Sequence, residues 1–233
     1  MDSRRGDHGR HEQGGLRIDP GGGSPGQIGE TRLFNAETGE LQQVLGTTSD
    51  VVLDVQLNPN GDKLAIAGAD GAIQIFNLAD GQSVRTITSH SDWVMAIAWN
   101  ADGTQIASAS RDKTAKVFDV ETGELLVTYG GHSEPVQGVA FHPNNELIYS
   151  SGKDNKIHWW KKTDGKKSGE LALGGEVFKL HQSSTFIFAA SADKSVRQLD
   201  AAAQKEVRKY VGHGDWALSS AYHSDTERVA SGG

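Results

Sequence analysis

The sequence predicts an all-β protein built from repeated units of four antiparallel strands. Short runs of alternating apolar and polar residues are separated by Asn-Gly, Asp-Gly and Thr-Gly turn signals along most of the chain. Such dipeptides permit the positive φ angles of tight hairpin turns. Sequence segments also recur at a nearly constant spacing, and no convincing helical periodicity accompanies them. These observations together favour a β-repeat architecture.

The repeat is clearest in four segments that each open with an aspartate. They are DGAIQIF, DKTAKVF, DNKIHWW and DKSVRQL, which begin at Asp70, Asp112, Asp154 and Asp193. The opening aspartates are 42, 42 and 39 residues apart, and a degenerate copy, GETRLF, spans residues 29–34. A period of 20–50 residues is typical of arrays in which each unit buries its apolar face against its neighbours. Such arrays usually bind partners rather than catalyse reactions.

One complete unit lies between residues 93 and 129. The runs WVMAIAW, TQIASAS, KTAKVFD and ELLVTY alternate in polarity, and NADG, RD and VETG separate them. Strict alternation predicts a half-buried strand, and short polar connections make neighbouring strands antiparallel. The unit is therefore predicted to be a four-stranded antiparallel sheet.

Composition excludes several kinds of partner. The net charge of −7 argues against nucleic acid and anionic membranes, which need clustered Lys and Arg. The chain has no cysteine, so it offers no disulfide and no thiolate metal site. No apolar run approaches the length of a membrane span, and no signal peptide precedes the repeats. We expect no membrane partner and, by default, a cytoplasmic location.

Residues 1–27 differ from the rest of the chain. They are rich in Gly, Arg and His and contain almost no apolar residues. Such a segment buries too little surface to offset its ordering entropy, so we expect a disordered tail. His8 and His11 have no acidic residues arranged around them, and we predict no metal site there. The repeats are assigned to one domain, residues 28–233.

The repeated residues resemble the WD-repeat β-propeller family, whose blades are four-stranded sheets arranged radially. The family pattern is Gly-His, a turn aspartate and a terminal Trp-Asp. One unit has Gly131-His132, Asp154 and Trp160-Lys161. Another has Ser89-His90, Asp112 and Phe118-Asp119, and Gly212-His213 opens a further unit. The resemblance implies a propeller of about four complete blades plus a half-blade at each end.

The resemblance also implies a structural hydrogen-bond relay. His132 would bridge Asp154 and Ser150, and Ser150 would reach the indole N–H of Trp160. His90, Ser108 and Asp112 resemble the same relay, which would stop there because the next position is Phe118. The Asp193 unit has Ala189 at the serine position and no preceding Gly-His, so that blade would rest on packing alone.

The recurring His, Ser and Asp invite comparison with a hydrolase, but the recurrence itself favours architecture. No GxSxG elbow, DxDxDG calcium loop, GxxxxGK phosphate loop or HExxH zinc helix occurs. We therefore expect a chain that is not an enzyme and has no catalytic residues, cofactor or metal.

The resemblance places a partner-binding face at the loops before the first strand and after the second strand of each blade. The candidate contact residues are Trp93, Arg111, Pro135, Lys153 and Trp216. The alternative is that Trp93 and Trp216 only cap the strand ends of their own blades. Six lysines around Trp159 and Trp160 are either a patch for an acidic partner or, as we favour, a solvated outer edge; they are Lys153, Lys156, Lys161, Lys162, Lys166 and Lys167.

The predicted strands begin and end within a blade. Third and fourth strands occupy residues 31–45, four full blades follow over about 51–211, and two strands cover 216–222 and 228–231. We expect a piece of a longer propeller, with an open arc whose edges permit self-association. The alternative is a five-bladed ring in which the terminal half-blades pair.

The sequence thus predicts a non-catalytic scaffold that binds protein partners of unknown identity. One alternative is a propeller module of a larger exported or enzyme-linked protein. Another is a small-ligand binder that uses the central channel.

Overall fold

The structure is a computed structural model, and it describes residues 16–17 and 29–233. Throughout these residues the regular structure is β-strand, arranged in six antiparallel sheets. None of the described segments forms a helix long and apolar enough to cross a membrane. The all-β prediction is confirmed.

The strands follow one another in chain order. The first sheet contains β1 (Leu16–Arg17), β2 (Glu30–Phe34) and β3 (Leu41–Thr47). Blade I contains β4 (Val52–Leu57), β5 (Lys63–Gly68), β6 (Ile73–Asn77) and β7 (Ser83–Ile87). Blade II contains β8 (Val94–Trp99), β9 (Gln105–Ser110), β10 (Ala115–Asp119) and β11 (Leu125–Tyr129). Blade III contains β12 (Val136–Phe141), β13 (Leu147–Gly152), β14 (Lys156–Lys161) and β15 (Lys167–Ala172). Blade IV contains β16 (Val177–Gln182), β17 (Phe186–Ser191), β18 (Ser195–Asp200) and β19 (Lys205–Val211), and the last sheet contains β20 (Ser219–His223) and β21 (Arg228–Gly232).

Each blade is a simple meander in which consecutive strands pair. The first strands of successive blades pack beside one another, β4 against β8, β8 against β12 and β12 against β16. They therefore form the inner wall of the array, and the fourth strands lie outermost. The fourth strands β7 and β11 are accordingly the most exposed of their blades.

The hydrophobic core is divided into layers between neighbouring sheets. Between blades I and II, Ile75 and Ile87 pack with Ile97, Trp99 and Phe118. Equivalent layers lie between blades II and III and between blades III and IV. The second strands supply small buried residues to these layers: Ala65, Ala67, Ala107, Ala109 and Ala189. Small side chains at these positions let adjacent sheets approach closely.

The turn between the second and third strands has the same backbone in all four blades. The residue after the turn aspartate has a positive φ: Gly71 at 79°, Lys113 at 70°, Asn155 at 63° and Lys194 at 65°. In blade I this residue is glycine, which adopts the conformation without steric cost. Blades II to IV place Lys or Asn there, so the surrounding hydrogen bonds must hold the turn.

The array is not closed into a ring. In the described residues, β20 and β21 form a separate two-stranded sheet, and β2 pairs with β3 and β1. The five-bladed ring with paired half-blades is therefore not the arrangement in the structure.

The edge of β2 opposite β3 is occupied in part by β1. Leu16 lies opposite Leu33 and Arg17 opposite Arg32. The rest of residues 1–27, for which we predict a disordered tail, lies outside the described residues.

Candidate partner-binding face and its supporting relays

Blade III contains a continuous side-chain relay. His132 Nδ1 lies 2.8 Å from Asp154 Oδ2, and His132 Nε2 lies 2.8 Å from Ser150 Oγ. The indole N–H of Trp160 donates to Ser150 Oγ at 3.1 Å. His132, Ser150 and Trp160 are all buried. The structure thus brings together the four residues that the sequence analysis grouped.

The donor and acceptor roles in this relay follow from the residues at its two ends, Trp160 and Asp154. Trp160 is only a donor and an ionised Asp154 is only an acceptor. Ser150 therefore donates its hydroxyl hydrogen to Nε2 of a neutral His132, and Nδ1–H donates to the carboxylate. Burial lowers the pKa of His132, and this outweighs the opposing effect of Asp154. A neutral imidazole satisfies every group in the chain.

Blade II has a shorter relay. His90 contacts Asp112 and Ser108, each at 2.7 Å. Phe118 offers no donor and meets the His90 ring edge-on at 6.4 Å between centroids. Burial alone would raise the pKa of Asp112, but hydrogen bonds from Thr114 and His90 hold it at about 2.

Blade IV replaces the relay with ion pairs, which differs from our expectation of packing alone. Arg197 pairs with Asp193 and donates to Glu206 Oε2 at 2.7 Å. Ser195 also donates to Asp193. In blades II and III the histidine precedes the turn aspartate by 22 residues, and the position 22 residues before Asp193 is Leu171, so no imidazole is present. The turn aspartate therefore obtains its partner from its own third strand.

A second histidine, His158, packs on the blade III relay. Its ring stacks on His132 with centroids 4.1 Å apart, and Tyr129 Oη lies 2.8 Å from its Nδ1. His158 is only 2% exposed, and its Nε2 lies 3.4 Å from Glu170 Oε2. Burial and the neighbouring His132 lower the pKa of His158 to about 4.

His132, Asp154 and His158 lie close enough together to suggest a metal site. However, both ring nitrogens of His132 already participate in the relay. The nearby Glu170 is paired with Lys156 and Lys167, whose positive charges oppose a cation. The chemistry of this cluster therefore favours a structural role.

The candidate contact residues share one face because the same backbone contact recurs in successive blades. The N–H after the second strand donates to the carbonyl before the first strand, at 2.9 Å for Ala69 to Val51, Arg111 to Trp93 and Lys153 to Pro135. In blade IV, Ala192 N–H donates to Glu176 O at 2.8 Å. We call the surface that carries these pairs the contact face, because the candidate contact residues lie on it.

In blade II the contact face carries an aromatic and a cation that are held together. The Arg111 guanidinium lies 4.8 Å from the ring centroid of Trp93. Arg111 also pairs with Asp92 at 3.3 Å. Trp93 is 39% exposed, so a large part of its ring meets solvent. The stack fixes the guanidinium over the ring.

The second tryptophan of the face lies between blade IV and the last sheet. Trp216 precedes β20, is 53% exposed and packs on Phe178 with ring centroids 5.5 Å apart. We expected a strand to start at Trp216, but β20 starts at Ser219. Pro135 is half-buried, and Lys153 is exposed 3.8 Å from Glu176.

Two comparisons with protein families bear on identity. The family described as WD domain, G-beta repeat matches residues 81–119 and 123–161. The Anaphase-promoting complex subunit 4 WD40 domain family matches residues 40–98. The chain belongs to the WD-repeat family. No curated protein matches the chain.

WD repeats generally mediate protein–protein interactions as non-catalytic scaffolds. The matches cover about half of this WD-repeat chain, from the first sheet through blade III. Blade IV, whose relay is replaced by ion pairs, lies outside both matches.

The lysines of blade III are mostly engaged in contacts within this WD-repeat array. Lys156 and Lys167 share Glu170, Lys166 pairs with Asp164, and Lys162 donates to Gln105 at 2.8 Å. Lys153 lies near Glu176. This pairing supports the solvated edge over a patch for an acidic partner.

The sequence analysis did not predict an ion pair that links blade I to blade IV across the inner wall. Asp54 of β4 and Lys179 of β16 meet across the inner wall, with Lys179 Nζ 2.9 Å from Asp54 Oδ1. The two residues are 125 positions apart. No local motif marks them, and only the return of blade IV toward blade I brings them together.

Proposed function

We propose that this WD-repeat chain is a non-catalytic scaffold that binds a protein partner through its contact face. The observation that carries the proposal is the exposure of two tryptophans, Trp93 and Trp216, at matching positions of different sheets. Trp and Arg are the residue types that most often dominate binding energy at protein interfaces. Arg111 adds the second type beside Trp93.

The relays support this role by fixing the turns that carry the contact residues. Arg111 directly precedes Asp112, and Lys153 directly precedes Asp154. Each aspartate is hydrogen-bonded to a histidine, and Asp112 also binds the backbone N–H of Thr114 at 2.9 Å. A turn held in this way loses little conformational entropy when a partner binds.

The charges of the contact face favour a protein partner whose surface carries both acidic and basic residues. Cations of the contact face lie beside acids, as Arg111 does with Asp92 and Lys153 with Glu176. The net charge of −7 opposes polyanions. The proposal therefore includes neither nucleic acid nor anionic lipid as a partner.

The test is affinity capture with paired variants. The chain carries a photo-crosslinker in place of Val51, which is exposed on the contact face and is not a proposed anchor, and crosslinked proteins are identified by mass spectrometry. Trp93→Ala/Trp216→Ala removes both aromatic anchors. Leu125→Ser/Val207→Ser is the matched control, because those residues are similarly exposed but lie on the outer strands β11 and β19.

A protein crosslinked by the wild type and the control, and lost from the tryptophan variant, supports the proposal. With that protein purified, the tryptophan variant should weaken binding at least 30-fold, as expected for hot-spot residues worth about 2 kcal/mol. Equal binding by the tryptophan variant would contradict the contact face. Selective loss in the control would move the interface to the outer strands.

A further inference from the structure

A partly open cavity with a volume of about 830 Å³ lies along the inner wall of the array, lined by polar and apolar residues. Gln56, Trp99, Leu180, His181, Gln182 and Ser220 are among its lining residues, together with the pair Asp54 and Lys179. The cavity lies in the channel, apart from the residues of the contact face. It therefore offers a site that protein binding at the contact face does not use.

Asp54 is a fixed anion in this cavity. It is 4% exposed, and its carboxylate accepts backbone hydrogen bonds from Val55 at 3.1 Å and from Ile97 at 3.0 Å. Two backbone donors on different strands leave the side chain little freedom. The carboxylate is thus positioned before any ligand arrives.

Lys179 is the movable partner of this anion. Its side chain is 39% exposed, and its ammonium contacts Asp54 at the end of a four-carbon stem with rotatable bonds. The lysine can swing aside without moving the backbone of β16. The contact with the Lys179 ammonium shows that the Asp54 carboxylate binds a cationic nitrogen. Because the lysine side chain can move away, that carboxylate can become available to a ligand.

We propose that the channel cavity binds a small zwitterion of the α-amino acid class, with its ammonium on Asp54 and its carboxylate on Lys179. Such a ligand replaces one ion pair with two and leaves no buried charge unpaired. A carboxylate alone would draw Lys179 away and leave Asp54 buried without its cation, which is costly. An amine alone must displace an intramolecular lysine and gains no second contact.

The ammonium N–H groups are essential to this proposal. Asp54 offers carboxylate oxygens, which accept hydrogen bonds, so the ligand nitrogen must donate one. A quaternary zwitterion such as glycine betaine carries the same charges but has no N–H. It should bind much more weakly than an amino acid.

The test is isothermal titration of the full chain with individual α-amino acids, simple primary amines, simple carboxylates and glycine betaine. Trp99 lines the cavity, so its fluorescence gives a second readout. At least one amino acid should bind at least 10-fold more tightly than its amine, its acid and betaine. Asp54→Asn and Lys179→Gln should each reduce that affinity at least 10-fold.

Lys209→Gln is the matched control, because Lys209 is a similarly exposed, ion-paired lysine on the outer strand β19, away from the cavity and the contact face. It should leave amino-acid affinity unchanged. Circular dichroism checks the fold of each variant. If Asp54→Asn fails to fold, Lys179→Gln still tests the proposal. Absence of binding by every amino acid overturns the proposal, as does equal binding of amines or betaine, or full affinity in folded Lys179→Gln.

Discussion

At the residue scale, His132 stabilises blade III through two buried hydrogen bonds, one from each nitrogen of its ring. It links a turn aspartate to a buried serine, and the serine accepts from Trp160. Buried polar groups that lose a partner cost far more than the bond itself contributes. The energetic role of the histidine is therefore best measured by removing it.

We predict that His132→Ala lowers the free energy of unfolding by ~1–3 kcal/mol, because Asp154 and Ser150 lose their buried partner. Urea denaturation provides the measurement. His213→Ala is the control: His213 contacts Ser231 at 2.7 Å in an exposed setting, so its loss should cost less. Equal or reversed costs for the two variants would contradict a structural relay.

How much of the site the sequence predicts depends on the distance between partners along the chain. The His132 relay was predicted from the resemblance to the WD-repeat family, whose pattern places the members of the relay at fixed offsets. Asp54 and Lys179 carry no such signal, because their contact depends on how four blades curve. The Trp93–Arg111 stack could be predicted in part. The sequence analysis places both residues on one face, but only the structure shows that the guanidinium lies over the ring.

At the element scale, blade IV shows why a missing motif does not mean a missing network. Its turn aspartate is bound by Arg197 from β18, and Glu206 of β19 holds the other side of the guanidinium. Lys116 and His158 occupy the corresponding third-strand position in blades II and III. The Lys116 ammonium donates to Ser89 in the loop before its blade, and His158 contacts Tyr129 of the preceding blade, so a substitution at this position can supply a new partner.

Blade III should be sensitive to acid because it contains two stacked neutral histidines. The folded pKa of His158 is about 4, below the ordinary value of 6.5. A lowered histidine pKa means that the unfolded state takes up protons first as pH falls. The stabilising contribution is complete above pH 6.5 and is lost progressively between pH 6.5 and about 4.

We therefore expect the wild-type chain to lose on the order of 1–2 kcal/mol of stability between pH 7 and pH 5 from His158. His158→Gln keeps an acceptor for Tyr129 and removes the titration, so its stability should vary less over this range. His223→Gln, at an exposed histidine, is the control and should retain the wild-type slope. Denaturant melts at several pH values measure the slopes, and parallel slopes for all three proteins would refute the assignment.

At the scale of the whole molecule, strand order was predictable and closure was not. Alternation and turn signals identify four complete blades and the flanking strand pairs, because each strand contacts its neighbours in sequence. Closure depends on whether strands from opposite ends of the array meet. The short strand β1 pairs with β2 at only two positions, and its polar surroundings in the sequence gave no strand signal.

The separate last sheet leads to a prediction about hydrogen exchange. Among the residues that the structure describes, β21 pairs only with β20. We predict that amides on the outer edge of β21 exchange as fast as free-edge amides of β7 and β11, and orders of magnitude faster than those of β9 and β13. Exposed strand edges also invite pairing between copies. Protection of β21 should therefore increase with protein concentration, together with the mass measured by analytical ultracentrifugation.

The concentration series distinguishes the arrangements because each gives a different dependence. Intermolecular pairing protects β21 only when copies are close, so protection follows mass. A β21 edge that is slow to exchange in a monomer at every concentration must be paired within its own chain. That result would establish the five-bladed ring, with β21 in the place that β1 occupies beside β2. An edge that stays fast at high concentration would retain the open arc and exclude self-association through this strand.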